Sequence, residues 1–551
     1  MPLARQLLPG LAYAIALALL VLGPSFVQGG LLGHESLDNW SHAWGMHWFV
    51  DSLANARLPW VITGAAYPEP RVLYYVDPMG AVLSAPLQLL SPAIAYNGLH
   101  FIQLILLAFC SWGFARALGG KGWLAAAAMC TLPLLQTELH NGVVEACWMA
   151  PIAAAGWAAA KRSKWTGVLI GLAAIGTPYH GVGAALIAGT LLLSGGRDGS
   201  GTWKERAIDL GLAAGLSLLL ALPHYAGIAA AFESPQAFVN RPLFDAFNDP
   251  SMRINATDPR ALLHPGDFWS RPPDLDNPLS APWKHTPYLS WVLLAGTLFG
   301  LRGERRASWL LLPGVALLIA TLGFYVWWDE SWLLTDDGRK YVLPLYWVSK
   351  WSRVSLVHHM RFAGGLALIL AVLADRSLSQ WKGVLWGAAA LVTIEHLFLA
   401  PGAWPIPTSP SQLPPAHEAT TALSGGVIDL PADSGAANRT NRYLYWNTLH
   451  ERPVPWVNKV GHQGTASSNA ALRTWVLLSK DGPIVPGSPG VPDPKADLKA
   501  ATAELRAQGY GMVLLHRDML AEPKLEGEIK RALRPVLGPG QKVEGGWLWV
   551  L

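Results

Sequence analysis

Long apolar runs, separated by short charged connections, divide roughly the first 400 residues. The first is LPGLAYAIALALLVLGPSFVQGGLL at 8–32, and others follow at 93–115, 122–136, 147–160, 165–177, 180–196, 207–229, 287–301, 308–327, 359–375 and 383–400. A helix needs about 20 apolar residues to cross a hydrocarbon core of about 30 Å, so the pattern predicts about 11 transmembrane helices. The shorter runs would tilt, thin the bilayer or pack inside the bundle. A signal peptide is the competing reading of the first run. Its length, the poor small-x-small site behind it and the many later runs favour a span.

Charge orients this pattern. With the N-terminus in the cytoplasm, the inside connections hold Arg5, Arg116 and Lys121, Lys161, Arg162 and Lys164, Arg197, Lys204 and Arg206, Arg302, Arg305 and Arg306, and Arg376 and Lys382. The two short outside connections, near 137–146 and 177–180, carry no Lys or Arg. Short loops are where the positive-inside rule operates. The outside segments are then 33–92, 137–146, 177–180, 230–286, 328–358 and 401–551. Residues 81–92, AVLSAPLQLLSP, are too short to span and predict an interfacial or re-entrant helix.

Beyond the Pro-rich linker at 400–415 the pattern changes to that of a soluble domain. GGVIDLP (425–431) reads as a buried strand, KADLKAATAELRAQ (495–508) as an amphipathic helix, and GYGMVLLHRD (509–518) and WLWVL (547–551) as strands. The expected organisation is a 1–400 transmembrane domain with long outer loops at 33–92, 230–286 and 328–358, followed by a 401–551 extracytoplasmic α/β domain.

Composition supports this class. Of 551 residues, 52% are hydrophobic and 14% charged, against roughly 25% charged in soluble domains. A net charge of +4 implies no nucleic-acid partner. The three cysteines, Cys110, Cys130 and Cys147, lie in or beside apolar runs and suit neither a disulfide scaffold nor a cysteine zinc site. The 27 Trp residues fit an aromatic belt at the membrane interface. No Walker loop, GxSxG elbow, HExxH helix or dinucleotide fingerprint occurs in context.

Ionisable residues concentrate on the outer side. GHESLDNWSHAW (33–44) places Glu35, Asp38 and His42 just after the first span, where ionisable groups are costly and mark function. Asp38 could equally cap the helix that begins at NWSHAW. The second outer loop carries Glu138, His140 and Glu145; Glu138 and His140 could share a metal, and Asp38 or Glu35 from the first loop would complete an oxygen-rich set for Mg²⁺ or Mn²⁺, while a plain interfacial polar loop is the alternative. TPYHG (177–181) brings Tyr179 and His180 to the same face as possible acceptor or donor contacts, or simply makes a turn. WVSKWSRVSLVHHMRF (347–362) gathers Arg353, His358, His359 and Arg361 where a membrane-surface phosphate would meet them. A snorkelling anchor is the alternative there.

The acid-bearing first loop ESLDNWSHAWGMHWFVDSL (35–53), with YPEPRVLYYVDPMG (67–80), ELHNGVVEACWMAP (138–151), HHMRFAGGLALILAVLA (358–374) and the tail pieces VIDLP (427–431), YLYWNTLHERPV (443–454) and GMVLLHRDML (511–520), resembles the GT-C superfamily of membrane glycosyltransferases. It looks most like bacterial members using polyprenyl-phosphate sugars. The resemblance implies a hexosyl- or pentosyltransferase of the inner membrane, with its C-terminal domain periplasmic and an envelope acceptor. It places the general base or metal ligand on Asp38, then Glu35, and the carrier phosphate on Arg361, then Arg353, His358 and His359. Where relatives have a DxD-like pair, this chain has Glu138-Leu139-His140. Two other classes fit the pattern less well: a non-catalytic assembly or binding protein, favoured by the large tail, and a transporter of lipid-linked substrate, which would carry midplane charge or repeats.

Overall fold

The computed structural model describes residues 2–35, 37–73, 77–196, 199–237, 257–264, 287–300, 307–328, 331–352, 356–399, 404–432, 439–456, 469–478, 497–520 and 522–551. Arg353, Arg197, Arg302, Arg305, Arg306 and most of the 230–286 loop lie outside these residues. The chain forms two compact units. The first comprises 1–33, 97–226 and 242–408, and the second 34–96, 227–241 and 409–551. The segment 34–96 thus groups with 409–551 in the second unit.

A helix occurs at each apolar run of the first unit. Four are long and apolar enough to cross a membrane by length and composition: Arg5–Gln28, Pro92–Ala117, Trp203–Glu233 and Lys382–Leu399. On the Trp203–Glu233 helix, Leu212, Leu218, Leu219 and Leu222 are exposed, Leu219 by 69%. An apolar stripe of that kind needs lipid or another apolar surface to cover it. The shorter apolar helices include Thr166–Gly176, Pro178–Leu193 and Leu311–Thr321.

Packing centres on the Ala363–Leu378 helix, buried at every position from Ala363 to Asp375. Around it lie the helices Trp291–Gly300, Trp123–Cys130, Leu311–Thr321 and Pro178–Leu193. Small residues allow the approach: a Cβ added at Gly296 would stand 2.8 Å from the Ala374 Cβ. Because such a helix is apolar all round, it belongs in an interior.

One expectation is corrected here. The run at 122–136, expected as one span, is two short helices, Trp123–Cys130 and Pro133–Asn141. Pro133 has no N–H for a preceding turn and drives Leu132 to ψ 128°, so the helix stops and restarts. The first helix begins at Gly122, which has no side chain to cap it. Asp375 supplies the cap from the central helix. Its Oδ1 accepts from Lys121 and Gly122 N–H at 2.7 and 2.8 Å, and its Oδ2 from Leu124 and Ala125 N–H at 2.9 and 3.3 Å. Glu395 does the same for Trp291–Gly300, accepting from Trp291 N–H at 2.9 Å and from the Tyr288 and Ser290 hydroxyls.

The second unit is built on a four-stranded mixed sheet. Gly426–Leu430 runs parallel to Tyr510–His516, which pairs antiparallel with Gly546–Val550, and that strand pairs antiparallel with Gln541–Val543. The helices Leu498–Ala507 and Pro523–Leu537 belong to the same unit. Asp497 caps the former through Lys499 and Ala500 N–H, both at 3.0 Å. The outer-loop helix Asn39–Ala54 packs on Arg439–His450. Residues 81–91 belong to the helix Pro78–Gln88 and the turn after it, and Pro92 begins the helix Pro92–Ala117; Asp77 accepts from Gly80 N–H at 2.8 Å.

Candidate functional site

In the second unit, the first-loop acids separate by what their side chains touch. Glu35 is exposed, and its Oε2 receives Arg442 Nη2 at 2.7 Å. That guanidinium lies over the buried Trp40 ring at 5.0 Å, while Trp40 Nε1 donates to the Glu35 carbonyl at 2.9 Å. Asn39 is buried and donates to Ser409 Oγ at 3.0 Å. Trp44 donates to Asn447 Oδ1 at 3.3 Å. These contacts fix the start of the Asn39–Ala54 helix.

Asp38 sits at that start, half-buried, as the N-terminal flanking residue. Its backbone is helical (φ −86°, ψ −5°), not the extended form that turns a cap side chain back onto N–H groups, and the carboxylate makes no capping bond. Its carbonyl accepts from His42 N–H at 3.1 Å and Ser41 Oγ at 2.9 Å. Among the described residues, the Asp38 carboxylate has no hydrogen bond or ion pair. His42 follows one turn later, half-buried.

In the first unit, the helix Pro133–Asn141, the start of the helix Pro178–Leu193 and the turn His359–Phe362 meet in a buried polar cluster. Glu138, on Pro133–Asn141, is fully buried and takes Arg361 in a forked pair: Nε to Oε1 at 2.8 Å and Nη2 to Oε2 at 3.1 Å. Arg361 lies in the turn His359–Phe362, ahead of the central helix. Tyr179 flanks the pair, its ring 5.9 Å from the guanidinium, and its hydroxyl accepts from His358 N–H at 2.9 Å. Thr177 caps that helix start through Tyr179 and His180 N–H. His180 is fully buried. His359 is buried against Phe324 and Gly323. Gly323 has φ +91°, and a Cβ there would stand 2.4 Å from the His359 ring.

In the sequence, Glu138 and His140 form a candidate cation pair. Both Glu138 oxygens are directed to Arg361, and residues two apart on a helix point to different sides. Tyr179, Glu138 and Arg361 are brought together, whereas Arg353 lies outside the described residues.

A second buried cluster escaped the sequence reading. His417, in the turn Pro415–Thr420, Asp429, in the strand Gly426–Leu430, and His516, ending the strand Tyr510–His516, offer three ligand atoms within 4.8 Å of one another. His516 Nε2 is 2.7 Å and His417 Nε2 is 3.1 Å from Asp429 Oδ1. Register explains part of this. Asp429 pairs with Leu514, so its side chain shares a sheet face with Leu514 and, two residues on, His516. Arg452 anchors the turn that carries His417, donating to Thr420 O at 2.8 Å and Leu423 O at 2.7 Å. Burial would raise the Asp429 carboxyl, but the imidazoles of His417 and His516 hold it well below the usual carboxylate range. The sequence signal was a carboxylate inside an otherwise apolar strand, GVIDL.

No family model matches the chain, and no curated protein matches it. Two solved structures of the Archaeoglobus fulgidus oligosaccharyltransferase do. One, in complex with Zn and sulfate, is 12% identical with a TM-score of 0.48, covering 97% of this chain and 70% of the archaeal one. The other, tethered to an acceptor peptide containing the NVT sequon, is 11% identical with a TM-score of 0.43, covering 97% and 71%. Both scores fall below 0.5, and the likeness assigns neither family nor activity to this chain.

Proposed function

We propose that this protein is a membrane glycosyltransferase of the GT-C type. It moves a sugar from a polyprenyl-phosphate carrier to an envelope acceptor on the extracytoplasmic face. The observation that carries this reading is the Asp38 carboxylate, half-buried at a helix start and engaged in neither cap nor ion pair among the described residues. Carboxylates that only shape structure have partners, as Asp375, Glu395 and Asp77 do here. One held by a fixed helix start and left unspent suits a general base.

In the proposed step, the acceptor hydroxyl attacks the anomeric carbon and Asp38 takes its proton. The bond from that carbon to the carrier phosphate breaks, and the electron pair leaves with the phosphate, which gains one negative charge. Within the first unit, we assign the carrier phosphate to Arg361, held in place by Glu138 and Tyr179, with His358 beside it. Arg361 Nη1 is not part of the Glu138 fork and remains to donate. Mg²⁺ or Mn²⁺ is not assigned to Glu138 and His140, because Glu138 is committed to Arg361.

A side-by-side comparison of Asp38→Asn and Glu35→Gln tests the base. Removing a general base costs about 10²–10⁴ in rate, so Asp38→Asn loses transfer by that factor while donor binding persists. Glu35→Gln, which only breaks an exposed ion pair, keeps most of its rate. Equal activity of Asp38→Asn and wild type refutes the assignment.

A further inference from the structure

We propose that the tail holds a zinc ion, bound by His417 Nε2, the Asp429 carboxylate and His516 Nε2, which clasps three chain segments together. The first support is the donor set. Two imidazoles and a carboxylate are a common zinc combination, with N and O distances of about 2.0–2.2 Å. All three side chains are buried, and the three ligand atoms lie within 4.8 Å of one another.

The second support is what protons alone fail to explain. His516 Nε2 and Asp429 Oδ1 make a good hydrogen bond at 2.7 Å. His417 Nε2 also approaches that oxygen to 3.1 Å, yet lies off the line a hydrogen bond requires. Asp429 Oδ2 is buried with no partner among the described residues. A buried polar atom left unsatisfied destabilises the fold. A cation seated among the three side chains accounts for the convergence of both Nε2 atoms on one carboxylate; on binding it would displace the proton between His516 Nε2 and Asp429 Oδ1, freeing the Nε2 lone pair, and Oδ2 is available as a further ligand.

The surroundings select a closed site. His417 stacks on His450 and on His516, with ring centroids 5.0 and 5.4 Å away, and Trp446 lies 5.4 Å from His417 and 5.0 Å from His516. Tyr443 stacks on His516 at 6.0 Å. His450 is a wall and not a ligand. Its Nδ1 accepts from Arg452 N–H at 3.0 Å, which places the ring proton of the neutral form on Nε2. An aromatic enclosure excludes water and disfavours strongly hydrated Mg²⁺, which seeks oxygen-rich octahedral sites. The ion would tie the 415–420 turn to both strands of the parallel pair, so binding adds directly to the stability of the unit. This site is independent of the transfer reaction.

The test uses the full chain purified in detergent, stripped with chelator and titrated with Zn²⁺ alone, with Mg²⁺ in parallel. Wild type should take up one tight zinc ion per chain and unfold at a higher temperature when loaded, with no response to Mg²⁺. Asp429→Asn and His516→Gln should each weaken binding by more than roughly 100-fold, beyond the loss seen when a residue that only hydrogen-bonds to a ligand is changed. Folded wild type that binds no zinc, or variants that bind it as tightly, would overturn the proposal. Should the variants fail to fold, Co²⁺ in the wild type decides. Intense visible bands of a low-coordinate nitrogen and oxygen site support it, and a weak aqueous-like spectrum refutes it.

Discussion

At the scale of single residues, a buried ion pair contrasts with a half-buried carboxylate that has no hydrogen bond or ion pair among the described residues. Glu138 and Arg361 form a buried fork that uses Nε and Nη2 of the guanidinium. Removing one partner of such a pair strands a charge and costs about 3–5 kcal/mol. Glu138→Gln should therefore lower the unfolding free energy in detergent by that much, and adding Arg361→Met to it should restore part of the loss. An additive double variant would show that the two charges do not act as a pair. Asp38 is the opposite case. With no side-chain bond to lose, Asp38→Asn should change stability by less than about 0.5 kcal/mol, and a large destabilisation would reveal a structural role. Both first-loop acids were legible in the sequence as candidates. What separates them, Arg442 on Glu35, comes from a residue 407 positions away and is invisible to local spacing.

At the scale of elements, helix positions were legible because apolar runs long enough to be helical leave little alternative. The break at Pro133 was written in the sequence as well, though hydropathy alone ran across it. Its consequence was not: the Trp123–Cys130 helix starts on a glycine and borrows its cap from Asp375, more than 250 positions later. A charged side chain that accepts four N–H groups is worth more than an ordinary cap, which contributes about 0.5–2 kcal/mol. Asp375→Ala should cost at least about 2 kcal/mol. It should also speed amide hydrogen exchange at Lys121, Gly122, Leu124 and Ala125 before the rest of the helix opens. Unchanged protection at those four amides would show the cap to be dispensable. The parallel strand pair was legible as two apolar segments. The His417–Asp429–His516 cluster was not, because the members come from a turn and two strands that only the sheet register aligns.

At the scale of the whole molecule, the charge pattern makes a topological claim that folding alone does not test. If the basic connections face the cytoplasm, a cysteine placed at Gly527, on an open stretch of the Pro523–Leu537 helix, should react with a membrane-impermeant maleimide from the outer side of intact cells. A cysteine replacing Lys164 should react after the cells are opened. Labelling in the reverse order would invert the topology and remove the outer face as the site of chemistry. The grouping of the 34–96 loop with the tail was not legible, since these segments are distant in sequence and share no periodic signal. The central claim is sugar transfer from a lipid carrier by Asp38, and one measurement addresses it most directly. Purified full-length protein is given a panel of radiolabelled polyprenyl-phosphate sugars with envelope acceptors, beside Asp38→Asn of equal stability. The account predicts label moving from carrier to acceptor for one donor in the wild type and about 10²–10⁴ less in the variant. No transfer from any donor by folded wild type, or equal transfer by the variant, would contradict it.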